Sequence, residues 1–201
     1  MTKLFSIVIL YKGEPSAHIL KAGHDLTSIS YFQRSTAENL IMFTSMTLVE
    51  RTGLGARQSV KQAEYMCHVF VRSDKLSVVC VSDHDYPPRV ANTMMQRIGE
   101  DFAGQIDPSK WTGGEQVAGF NGQCEVYLGK FQDPAKSDAM SRLQTDLDDT
   151  KIILHNTIEA VLQRGEKLDD LVDKSEALSM QSKYFYTAAR KTNSCCGTTW
   201  G

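Results

Sequence analysis

Residues 150–191 read TKIILHNTIEAVLQRGEKLDDLVDKSEALSMQSKYFYTAARK. Apolar or small side chains recur in this stretch at alternating steps of three and four on both sides of Arg164. Toward the N-terminus the set is Val161, Thr157, Leu154, Thr150, Leu147, Leu143 and Met140. Toward the C-terminus it is Leu168, Leu171, Ser175, Leu178, Ser182, Phe185, Ala189 and Thr192. No proline occurs after Ser137, and Gly165 is the only glycine before the tail. A seam of about seven heptads predicts a coiled-coil helix over 137–193. A straight helix drifts away from a strict seven-residue repeat, so the rod is expected to supercoil with partners.

The seam is unlike that of a two-stranded zipper. Thr150, Thr157, Ser175, Ser182 and Ala189 are small or polar, which suits a site where several helices meet and others supply the volume. Arg164 occupies the central seam position. A buried guanidinium costs several kcal/mol unless its donors are paired. Carbonyl groups from partner helices at the same level would pair them, and a planar five-donor fork would then set register. Spacing alone leaves the ordinary alternative open, an arginine on a solvated face.

The first half has a different rhythm. LFSIVILY (4–11) and AHILKAGHDL (17–26) predict a strand pair turned at Gly13 and Pro15. Ser35, followed by Glu38, predicts a helix N-terminus. The helix would carry Leu40, Ile41, Phe43, Met46, Leu48 and Val49 and stop near Gly53. RQSVKQ, YMCHVFVRSD and KLSVVCVSD read as three more strands, the last two joined at Ser73-Asp74-Lys75. Pro87 and Pro88 open a second helix lined by Val90, Met94, Ile98 and Phe102. The order β-β-α-β-β-β-α predicts an α+β domain over 1–131, an antiparallel sheet flanked by helices. Glycines and prolines break residues 107–136, which read as an irregular linker with docked apolar residues such as Trp111, Phe120, Val126 and Phe131.

Composition narrows the function. The 201 residues carry a formal charge of −2, which gives no argument for nucleic-acid binding. No apolar run reaches the length needed to span a bilayer. MTKLFSIVIL alternates like a strand and lacks a small-residue cleavage site, so it is not read as a leader. Five cysteines without a framework point to a reducing compartment. No P-loop, Gly-x-Ser-x-Gly, His-Glu-x-x-His or Cys-x-x-Cys occurs, and the five histidines are scattered. Cys67 beside His68 is the one adjacency that raises nucleophilic chemistry.

Residues 150–191, with Val161-Leu162-Gln163-Arg164-Gly165-Glu166-Lys167-Leu168 at their centre, resemble the R-SNARE motif. Leu10-Tyr11-Lys12-Gly13-Glu14, Tyr31-Phe32-Gln33-Arg34-Ser35, Cys67-His68-Val69 beside Val71-Arg72, Tyr86-Pro87 and Asn193-Ser194-Cys195-Cys196 extend the likeness. Together they resemble the longin-domain R-SNAREs of the synaptobrevin family. The resemblance implies a profilin-like longin domain followed by a long SNARE helix. It implies membrane fusion in ER–Golgi, Golgi, endosomal and vacuolar or lysosomal transport. The partners would be three Q-SNARE helices, syntaxin-like and SNAP/Bet/Gos-like, in a parallel four-helix bundle, with Arg164 facing three glutamines. It places the protein in the cytosol and on the cytoplasmic face of Golgi, vesicle, endosomal or vacuolar membranes. One rival on the same fold is a coat or tether subunit, which needs neither an arginine-centred seam nor terminal cysteines; another is acyl transfer by a longin domain that holds an acyl group.

In the family the tail, here 194–201, is a lipidation site and no other cofactor is implied. Cys195 would carry palmitate and Cys196 a farnesyl or geranylgeranyl group. A prenyl box needs cysteine fourth from the end. Here that position is Thr198, so Cys196 stands outside the standard box. An exposed apolar seam invites aggregation. The longin half is therefore expected to fold back on 137–193, through a groove at Phe32, Leu40, Phe43 and Met46.

Overall fold

The structure, a computed structural model, describes residues 3–113, 117–137, 152–176 and 178–195. The elements are β1 (Leu4–Tyr11), β2 (His18–His24), α1 (Tyr31–Arg51), β3 (Arg57–Gln62), β4 (Tyr65–Val71), β5 (Leu76–Asp83) and α2 (Pro88–Gln105). There follow a 3-10 turn (Pro108–Gly113), α3 (Gln123–Phe131), β6 (Ile152–His155), a second 3-10 turn (Ile158–Val161), α4 (Leu168–Lys174) and α5 (Met180–Cys195).

The strands form one sheet in the order β2-β1-β5-β4-β3-β6. Strand β1, between β2 and β5, is apolar on both faces because both faces are covered. Leu4, Ile7 and Ile9 join a core with α2, α3 and Trp111. Val8 and Leu10 join a second core with α1 and the C-terminal segment. The α+β architecture is thus the expected one, with five antiparallel strands flanked by helices.

Several sequence motifs act as fasteners. Lys12 Nζ donates to the carbonyl oxygens of Val49, Glu50 and Thr52 at 2.6–2.8 Å, so the Leu-Tyr-Lys-Gly stretch caps the C-terminal end of α1. Burial holds the Lys12 ammonium below its usual range. The Tyr86 hydroxyl, buried before the prolines that open α2, donates to the Phe131 carbonyl at 2.9 Å and ties α3 to the sheet.

The structure departs from the sequence reading at four places. Helix α1 begins at Tyr31 after Ser30, four residues before Ser35. Residues 107–136 contain an ordered 3-10 turn and α3 rather than a linker. Trp111, Phe120, Tyr127 and Phe131 are buried there, while Val126 is exposed. The part of 137–193 that is described is not one rod. It runs as strand, turn and two helices. Finally, β6 joins β3 in parallel, Arg57 opposite Ile152 through Val60 opposite His155, so the sheet is not wholly antiparallel. Thr157 and Lys167 are extended and Gly165 has φ +92°, which interrupts the helix at its middle. The cause is the unpartnered seam: with no other helices present, its apolar residues are covered by the N-terminal core.

Candidate functional site

The C-terminal segment wraps α1 and the β3 edge, and the seam divides into covered and uncovered parts. Leu168, Leu178 and Ser182 are buried, and Val161, Leu171, Ser175 and Phe185 are partly so. Thr157 and Arg164 are exposed, and Leu154 is 64% exposed. Ile158 and Val172, which lie off the seam, are buried instead. The strand and the turn at Gly165 rotate the chain, so the docking face follows the seam only from Leu168 onward. Met140, Leu143, Leu147, Thr150 and Cys196 lie outside the described residues. Ala189, Thr192 and Cys195 fall on α5, and their side chains are not described.

Between the segment and the domain lies a cavity of about 670 Å³. Leu40, Ile41 and Phe43 of α1 line one wall, Cys67 and Val81 the sheet side, and Ile158, Leu168, Val172 and Phe185 the segment side. Of the four expected groove residues, the structure brings Leu40 and Phe43 to this cavity. Met46 packs against the same core without lining it. Phe32 is 85% exposed and stacks edge-to-face on Tyr31, away from the cavity. Sequence reasoning missed Ile41, Cys67 and Val81. Alternation along β4 and β5 was the available signal, because Cys67, Val69, Val79 and Val81 share the α1 face.

The middle of the segment is held by charge. Arg51 donates from Nε to Glu166 Oε2 at 3.1 Å and from Nη2 to Oε1 at 2.8 Å. Glu166 Oε2 also accepts the backbone N–H of Gln163 at 2.9 Å. The Arg51 hydrogen bond, then that of Gln163, keeps the Glu166 carboxyl below its usual range.

Cys67 and His68 point to opposite faces of β4 and form no nucleophile–base pair. Burial pushes the Cys67 thiol up to about 12, so no thiolate is available near neutrality. His68 bonds Ser59 and Ser82 on the other face. The arrangement places the C-terminal segment over an apolar cavity against α1 and the sheet. Among the described residues no helix is long and apolar enough to cross a membrane.

Comparison with known proteins gives matches over both parts of the chain. The Longin family, described as the Regulated-SNARE-like domain, matches residues 26–119, and the Synaptobrevin family matches residues 139–196. The chain is 45% identical over 194 residues to the Synaptobrevin homolog ykt6 of Schizosaccharomyces pombe, covering 96% of this chain and 98% of that one. It is 44% identical over 196 residues to the Synaptobrevin homolog YKT6 of Yarrowia lipolytica, with the same coverage. The corresponding homolog of Eremothecium gossypii is 42% identical over 199 residues, again with that coverage.

Proposed function

Since the chain belongs to the longin-domain R-SNAREs of the synaptobrevin-homologue family, we propose that it closes on itself in water and opens to bridge two membranes. It is a SNARE of vesicle trafficking, a non-enzymatic role. In the open form 137–193 becomes one helix beside three Q-SNARE helices. Arg164 lies at the centre against three glutamine carbonyls, and zippering runs from Met140 toward Thr192.

One observation carries the closed state: Leu168, Leu178 and Ser182 are buried against the longin half, and the same side chains are seam positions. They cannot face both at once. Burial of Ile158, Leu168, Val172 and Leu178 is worth about 1.5–3 kcal/mol each. Partner helices must replace all of it before the segment leaves.

Anchoring follows from lipid at Cys195 and, where the terminus is processed to suit, Cys196. Two chains give stable attachment and one gives weak attachment. The cavity suits one such chain when the protein is off the membrane, and its apolar walls support that reading. The membranes served are those of the Golgi, its vesicles, endosomes and the vacuole or lysosome.

Phe43 is buried between the cavity and the core. Phe43→Glu is expected to raise both Q-SNARE binding and protease cleavage within 152–195. No change in either measurement would overturn the closed state.

A further inference from the structure

The Arg51–Glu166 pair joins the last turn of α1 to the turn at the middle of the C-terminal segment. The two side chains are 18% and 25% exposed, and their contact is a two-bonded fork, the strong form of an arginine–carboxylate contact. Glu166 is also the fastener of its own turn. Its carboxylate accepts the Gln163 N–H, and its own N–H donates to the Gln163 carbonyl at 2.9 Å. Gly165, with φ +92°, permits the reversal, and Arg164 stands exposed between them.

A continuous helix would place Glu166 elsewhere. Arg164 and Leu168 lie on the seam. Residue 166 is two positions from each, about 200° around the helix, and faces away from the bundle centre. Glu166 therefore supplies no layer. The bonds it makes here must break before residues 163–166 become helical and Arg164 can turn inward.

We propose that Arg51 and Glu166 form a latch that holds the central arginine out of the seam and sets how readily the middle of the segment can zipper. The proposal rests on the closed-state reading above and names the contact that governs its opening. Arg51 acts through Glu166 as a positioning residue. Its second carboxylate neighbour, Glu50 at 3.6 Å from Nη1, lies on α1 itself and does not reach the segment.

Amide hydrogen exchange on the full chain without partners tests it. Arg51→Met and Glu166→Gln are each expected to speed exchange over 163–172 by about tenfold, leaving β5 and α2 unchanged. The double variant is expected to match Glu166→Gln, since without that carboxylate Arg51 has no hold on the segment. Added salt should speed exchange in the unaltered chain but not in Glu166→Gln, which a purely steric role would not produce. Unchanged exchange in both single variants, additive effects, or salt dependence surviving in Glu166→Gln would overturn the latch. Phe43→Glu separates the two ideas. If it frees the segment while the latch variants do not, only the latch falls. If none frees it, the closed state falls as well.

Discussion

His68 is buried across the middle of the sheet, between two serine hydroxyls. Ser82 Oγ donates to the Asp83 carbonyl at 2.9 Å, so it accepts from His68 Nε2–H at 3.2 Å. Nδ1 then accepts from the Ser59 hydroxyl at 2.8 Å. Burial lowers the ring from 6.5 to about 4, keeping it neutral in the folded chain. The unfolded chain binds this proton first, so stability is complete above about 6.5 and falls as pH drops toward 4. His24 is lowered in the same direction, chiefly by burial, and adds to the slope. Between pH 7 and pH 5 the unaltered chain should lose about 2 kcal/mol more than His68→Gln, read from denaturant midpoints. Equal losses would show that His68 carries no such linkage. At this scale the sequence revealed composition better than contact. Arg164 stood out because it interrupts an apolar seam. Glu166 did not, because its partner Arg51 is far away in the chain and no local pattern joins them.

Elements were legible where local chemistry agreed with tertiary demand. Strands β4 and β5 alternate and are separated by a turn of Ser, Asp and Lys, where Lys75 takes φ +69°. Helix α2 follows from Pro88 at its first turn and the spacing of Val90, Met94, Ile98 and Phe102, all fully buried. The start of α1 was misread because Ser35 with Glu38 imitates a cap, while the actual Ser30 makes no side-chain capping bond. Helix α3 was missed because it is short, follows Gly122 and contains Gly129, and only packing reveals it. A Cβ on Gly23 of β2 would lie 2.5 Å from the Cys124 Cβ, so α3 rests on a strand that requires glycine there. Gly23→Val should lower stability by about 2 kcal/mol in thermal unfolding, by overpacking. An unchanged midpoint would mean that α3 is not seated on β2. Strand β6 was invisible locally: Ile152 to His155 becomes a strand only because the β3 edge is free to pair with it.

At the scale of the molecule, the proposed function has one segment serve two sets of partners. The heptad seam was readable because a sustained seven-residue repeat implies helical partners. The closed form was readable only as a need, since which residues cover the seam depends on the shape of the finished longin core. That core covers Leu168, Leu178 and Ser182 and leaves Leu154 and Arg164 outward. On the proposed function, this stores apolar surface for the four-helix bundle. Opening must lengthen the segment, and length is directly measurable. Spin labels at Ile152→Cys and Tyr184→Cys, both exposed positions off the seam, would sit on a chain with Cys195→Ser and Cys196→Ser. A span of 152 to 184 as unbroken helix is about 48 Å long. A shorter distribution is expected in the isolated chain, moving to about 48 Å when three Q-SNARE helices are added. A distribution already at that length alone, or one that does not move with the partners present, would contradict it.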